Sequence, residues 1–104
     1  MRNKVIRVIY RWSVDADRRG AFIDWWREGT LQIRSTREGA LGSTLLGSTT
    51  DDACFAAVAR WRSMEDLEAF WNEGRPEFPG SRLDSVEIFE ELDDLTEVGG
   101  ARAQ

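Results

Sequence analysis

Residues Val5–Val14 alternate with a period of two, and the alternation is unusual because both faces carry apolar side chains. Ile6, Val8, Tyr10, Trp12 and Val14 share one face, and Val5 and Ile9 stand on the other among Arg7, Arg11 and Ser13. Period-two alternation of β-branched and aromatic residues reads as a strand. A strand apolar on both faces belongs to a sheet that needs cover on both sides. A second such strand, Cys54–Arg62, repeats the pattern: Phe55, Ala57, Ala59 and Trp61 face one way, Cys54, Ala56, Val58 and Arg60 the other. With 104 residues the chain has room for one ordinary domain, burying about two thirds of its unfolded surface.

The segments between complete an order. Asp15 or Asp17 offers a helix N-cap, and Phe22, Trp26, Thr30 and Ile33 then recur at helical spacing up to a stop by Gly39. Ala40–Ser48 reads as a strand, and the polar turn Ser48–Asp52 makes it a hairpin with Cys54–Arg62. Ser63 with Asp66 three residues on resembles a capping box, with Asp in place of Glu or Gln. Met64, Leu67, Phe70 and Trp71 form the apolar face of that second helix, which Gly74, Pro76 and Pro79 end. Ser85–Leu92 reads as the last strand. The expected division is one domain over 1–92 and a polar tail over 93–104.

The order β-α-β-β-α-β predicts an α+β, ferredoxin-like fold: a four-stranded antiparallel sheet with two helices on one face. One chain then covers only one sheet face. A homodimer packed sheet to sheet is expected, with cross-strand pairs of Arg7 and Arg11 with Glu87 and Glu91 on the face toward the partner. The alternatives are a monomer whose second face is merely less polar than average, and a solvated charge ladder worth little.

Composition narrows the function. A net charge of −5 with scattered arginines argues against nucleic acid. No apolar run is long enough to span a membrane, no secretory signal is read, and the expected location is the cytoplasm. A single cysteine, Cys54, cannot form an intrachain disulfide. With no histidine in the chain, a zinc or non-haem iron site is not expected. The unusual feature is the aromatic content, with five Trp and five Phe. Tyr10 and Trp12, Phe55, Ala57, Ala59 and Trp61 share the face that the helices cover. Phe22 and Trp26, then Leu67 and Phe70 or Trp71, close over them. Large rings around two small alanines leave a slot suited to stacking an aromatic ligand; rings at regular spacing serve equally well as plain core.

The first strand, Trp26, the run Glu38-Gly39-Ala40-Leu41-Gly42-Ser43, and above all Ala59–Leu67 followed by Phe70-Trp71 resemble the antibiotic biosynthesis monooxygenase family over about residues 4–92. The resemblance implies a dimeric α+β barrel with a ligand cleft between helices and sheet. It implies oxidation of a phenol or quinol by O2 with no flavin, haem or metal cofactor. Trp61 matches the tryptophan associated with activity in the aromatic-polyketide branch. Tyr10 then hydrogen-bonds the substrate oxygen, and Arg34 or Arg60 stabilises a phenolate, although both arginines fit equally as surface charges. Trp12, Phe22, Trp26, Ala57, Ala59, Leu67 and Phe70 are the expected substrate-binding residues. Ala57 and Leu67 stand where that branch has Asn and Tyr. The haem-degrading branch holds iron with a histidine and has an asparagine in the first strand, where Arg11 or a neighbour sits, so haem degradation is not expected. Competing readings are a non-catalytic dimeric module for a hydrophobic ligand or a protein partner, and an isomerase or cyclase on the same scaffold.

Overall fold

A computed structural model describes residues 4–75 and 77–96. Strand β1 spans Ile6–Val14, and a single 3-10 turn at Ala16–Arg18 leads into helix α1, Arg19–Thr36. Strands β2 (Ala40–Gly47) and β3 (Cys54–Trp61) form a hairpin, and helix α2 (Met64–Asn72) leads to strand β4 (Ser81–Glu90). All pairings are antiparallel, in the order β2-β3-β1-β4. This is the expected ferredoxin-like α+β fold, with the two helix-bearing strands at the centre. Among the described residues no helix is long and apolar enough to cross a membrane.

The register explains why the alternation is strict. Ile6 lies opposite Trp61, Val8 opposite Ala59, Tyr10 opposite Ala57 and Trp12 opposite Phe55. A shift by one residue would turn each of these side chains to the other face. Two core clusters result, both on the helical side. Ile6, Val8, Ala59 and Trp61 pack with Leu67 of α2. Val14 and Phe55 pack with Phe22 of α1 and with Phe78 from the segment before β4.

Helix α2 begins as its sequence dictates, with one change of partners. The Ser63 hydroxyl accepts the Asp66 backbone N–H at 3.2 Å. The Asp66 carboxylate accepts from the Ser63 hydroxyl at 2.8 Å and is gripped by two nitrogens of Arg62 at 2.9 and 3.0 Å. These bonds, Arg62's foremost, hold the Asp66 carboxyl below the usual range. Gly39 is required beside them, because a Cβ there would lie 2.3 Å from Asp66 Cγ. The two aspartates expected to cap α1 do not act through their side chains; Arg18 N–H instead donates to the Asp15 carbonyl oxygen.

Strand β4 starts four residues earlier than the alternation indicates. Between Arg11–Ser85 and Trp12–Leu83 the register slips, leaving Asp84 as an extra residue on β4. Such a bulge breaks the period-two signal, and the polar run around Arg82 and Asp84 hides the strand. Gly80, at φ +90°, turns the chain into it, and its carbonyl oxygen accepts from Asp15 N–H at 2.8 Å.

On the other sheet face Ile9, Ala56 and Val58 are half-buried, while Leu46 and Phe89 are 48% and 50% exposed. Cross-strand ion pairs stand on it, Arg7–Glu91 at 2.7 Å and Arg11–Glu87 at 3.6 Å. Arg60 joins Glu91 from β3 at 3.1 Å. Its hydrogen bond comes first, and that of Arg7 second, in holding the Glu91 carboxyl below its usual value. Among the described residues no element of the same chain packs over this face.

Candidate functional site

Between the helices and the sheet opens a cleft of about 1090 Å³. Its floor is sheet: Tyr10 and Trp12 of β1, Ala59 and Trp61 of β3. One wall is α1, through Trp25, Trp26 and Ile33, and Phe70 of α2 adds a ring. Another wall is formed by Arg75, Glu77–Pro79 and Ser81–Leu83, leading into β4.

The rings are ordered by one another. Tyr10 and Trp12 stack at 5.6 Å between centroids, 17° from parallel. Trp61 and Phe70 stack at 5.3 Å. Such offset pairs contribute about 0.5–1.5 kcal/mol beyond the area they bury, and they fix flat surfaces against which another flat ring can lie.

Seven of the residues singled out in the sequence line this cleft. They are Tyr10, Trp12, Trp26 and Ala59, with Arg34, Trp61 and Phe70. Trp61 is only 4% exposed and offers little surface. Phe22, Ala57 and Leu67, which the sequence reading placed against the ligand, have no exposed surface at all. They lie in the packed core between helices and sheet, because inward phase on β3 and on the two helices leads to the packed centre as readily as to the opening. Arg60 also borders the cleft but spends its guanidinium on Glu91 on the outer side of the sheet.

Tyr10 is the most informative polar group. Its oxygen accepts the Trp71 indole N–H at 3.2 Å, so its own proton is not used in that bond. Burial raises its pKa above the ordinary tyrosine value, against smaller opposing effects from the Trp71 bond and the Arg75 charge. The phenol therefore stays neutral and able to donate. Arg34 donates to the Leu41 carbonyl oxygen at 3.1 Å. Gly42, at φ +111° in the irregular stretch of β2, lets it lie there, since a Cβ would come within 2.7 Å of Arg34 Nη1.

The wall at Arg75 and Glu77–Leu83 was missed from the sequence. Its prolines and glycines read as a helix stop, and its strand start is masked by the bulge at Asp84. Among the described residues no group of three or more His, Cys, Asp or Glu side chains is placed to hold a metal. What the site can do is stack a flat apolar ring system, donate a hydrogen bond to one of its oxygens, and shelter it from water.

The sequence profile of the antibiotic biosynthesis monooxygenases matches residues 5–75. The chain belongs to that family. Several solved structures superimpose on it. A conserved protein from Bacteroides thetaiotaomicron, described as of unknown function and a possible oxidoreductase, has a TM-score of 0.70 at 23% identity, covering 86% of this chain and 99% of its own. A heme-degrading protein from Mycobacterium tuberculosis has 0.69 at 23%, covering 94% and 99%. In another structure that heme degrader carries two hemes in its active site; there the TM-score is 0.66 at 20% identity, covering 86% and 97%. At these identities the likeness establishes the shared fold and no more. No curated protein matches the chain.

Proposed function

We propose that this monooxygenase-family chain is a cofactor-independent oxygenase acting on a small or polycyclic phenol or quinol held in the cleft. The observation that carries the proposal is Tyr10, a neutral half-buried phenol whose proton is left for a ligand because Trp71 already donates to its oxygen. The substrate ring lies against the Tyr10–Trp12 stack and Trp61. Its ionisable oxygen receives the Tyr10 hydrogen bond, which grows stronger as that oxygen becomes anionic. Glu28 and Glu77 are the carboxylates lining the cleft, and in this reading one of them takes the proton. The substrate anion gives an electron to O2, and the two radicals combine at carbon. One oxygen atom enters the product as a carbonyl, and the other leaves as water. The substrate supplies all four electrons, so no reductant is needed. The chain's contribution is to orient the substrate, to stabilise its anion and to keep water out.

A homodimer accompanies this reading, supported by the apolar centre of the outer sheet face at Ile9, Ala56 and Val58. A second reading, a ligand-binding module without turnover, is favoured by the apolar Ala57 and Leu67, which bring no polar atom to assist Trp61. Oxygen consumption with a panel of quinols and anthrones separates the two. The expected result is uptake of one O2 per product, lost at least tenfold in Tyr10→Phe. Ligands that quench tryptophan fluorescence while no oxygen disappears would leave the binding module standing. A Trp61→Phe variant with full turnover would remove Trp61 from the mechanism.

A further inference from the structure

The cleft is aromatic, yet four arginines border it in a chain of net charge −5. Arg60 is paired with Glu91 and Arg82 with Asp84, whereas among the described residues Arg34 and Arg75 have no carboxylate partner. Arg34 is at least occupied by the Leu41 carbonyl. Arg75 has a different placement. Gly74, at φ +93°, ends α2 with its N–H on the Trp71 carbonyl oxygen at 2.9 Å. That left-handed turn folds the next residue back over the helix, and the Arg75 guanidinium carbon lies 5.1 Å from the centre of the Trp71 ring. Trp71 in turn donates to Tyr10. Arg75, Trp71 and Tyr10 thus form one connected group at the cleft wall. Arg75 is also the charge felt by the Tyr10 phenol. Glu28 and Glu77, the acids that also line the cleft, are exposed side chains.

We propose that Arg75 makes this cleft selective for anionic aromatic ligands, receiving a ring carboxylate or phenolate oxygen beside the Tyr10 hydroxyl. The proposal deepens the oxygenase reading by naming the substrate's charge. A guanidinium resting over an indole face can still offer N–H groups to an oxyanion, and it loses little freedom in doing so. The Arg75 side chain is itself exposed, so its charge acts partly through water and the preference it confers weakens as ionic strength rises.

The test compares anthraquinone-2-carboxylate with its uncharged twin, anthraquinone-2-carboxamide, by quenching of tryptophan fluorescence. The full chain is expected to bind the carboxylate at least tenfold more tightly. In Arg75→Gln the preference falls below twofold, in Arg75→Lys part of it survives, and in Arg27→Gln, which removes a charge from the outside of α1, it is unchanged. Equal binding of the two probes, no binding of either at millimolar concentration, or a preference that Arg75→Gln leaves intact or Arg27→Gln also abolishes, overturns the proposal. Oxygen uptake is measured separately. Anion preference without uptake removes the oxygenase reading and upholds Arg75; uptake without anion preference does the reverse.

Discussion

At the scale of single residues, Tyr10 offers the cleanest measurement because it is the sole tyrosine of the chain. The rise in absorbance near 295 nm on forming phenolate therefore reports one site. It is expected above the ordinary midpoint of about 10, since burial opposes the charge. Trp71→Phe removes a bond that lowers the pKa and moves the midpoint higher still. The sign for stability follows: a raised folded value means that neutral Tyr10 favours the fold. That contribution is complete below about 10 and is lost as pH climbs through the folded midpoint. An ordinary midpoint would deny that the phenol is sheltered. Phe22 is the opposite kind of ring. It contacts Phe55 at 5.0 Å and Phe78 at 5.7 Å with no exposure, and Phe22→Ala should cost about 3–5 kcal/mol in denaturant unfolding. Ligand quenching by the folded fraction should change little, which tests its place as core.

Elements show which signals were legible. The order of strands and helices was readable because each has a clean period and a breaker at its end, as with Gly39 after α1 or Gly74 after α2. Ends were less readable where backbone geometry departs from the period. The bulge at Asp84 hid the start of β4, and the caps proposed for α1 act through backbone atoms alone. Ser63 was readable, since a hydroxyl before a helix has one obvious bond to make. Loss of a cap alone costs about 1 kcal/mol; because the Ser63 hydroxyl also donates to Asp66, Ser63→Ala is expected to lower stability by more than that. A thermal melt indistinguishable from the parent would contradict this. The cleft was half legible. Phase identifies which side chains turn inward, but not which of them meet another side chain and which meet space. Tyr10, Trp12 and Trp61 border space, whereas Ala57 and Leu67, in the same phases, do not.

For the molecule as a whole, the outer sheet face carries the main consequence. Its arginine–glutamate pairs flank an apolar middle; Arg11–Glu87 is exposed enough to contribute little to a lone chain, whereas Glu91, held by Arg7 and Arg60, is largely buried. Covering that face with a second copy would remove the Leu46 and Phe89 side chains from water and tighten the pairs. Sedimentation at micromolar concentration is expected to give twice the chain mass, and Val58→Arg, placed centrally on the face, is expected to give one chain mass with the cleft still binding ligand. A parent sedimenting as a single chain would end the dimer reading. One further consequence belongs to the way the cleft is walled. The match to the family's sequence profile ends at residue 75, while the wall from Glu77 to Leu83 lies beyond it. The part of the cleft that presents Tyr10 and Trp61 lies within the matched span, and the part from Glu77 onward lies outside it. Phe78 serves the core and Ser81–Leu83 pair with β1, so substitutions at Glu77 and Pro79 are the ones expected to work like the jaw of a wrench, resizing the opening while the handle stays as it was.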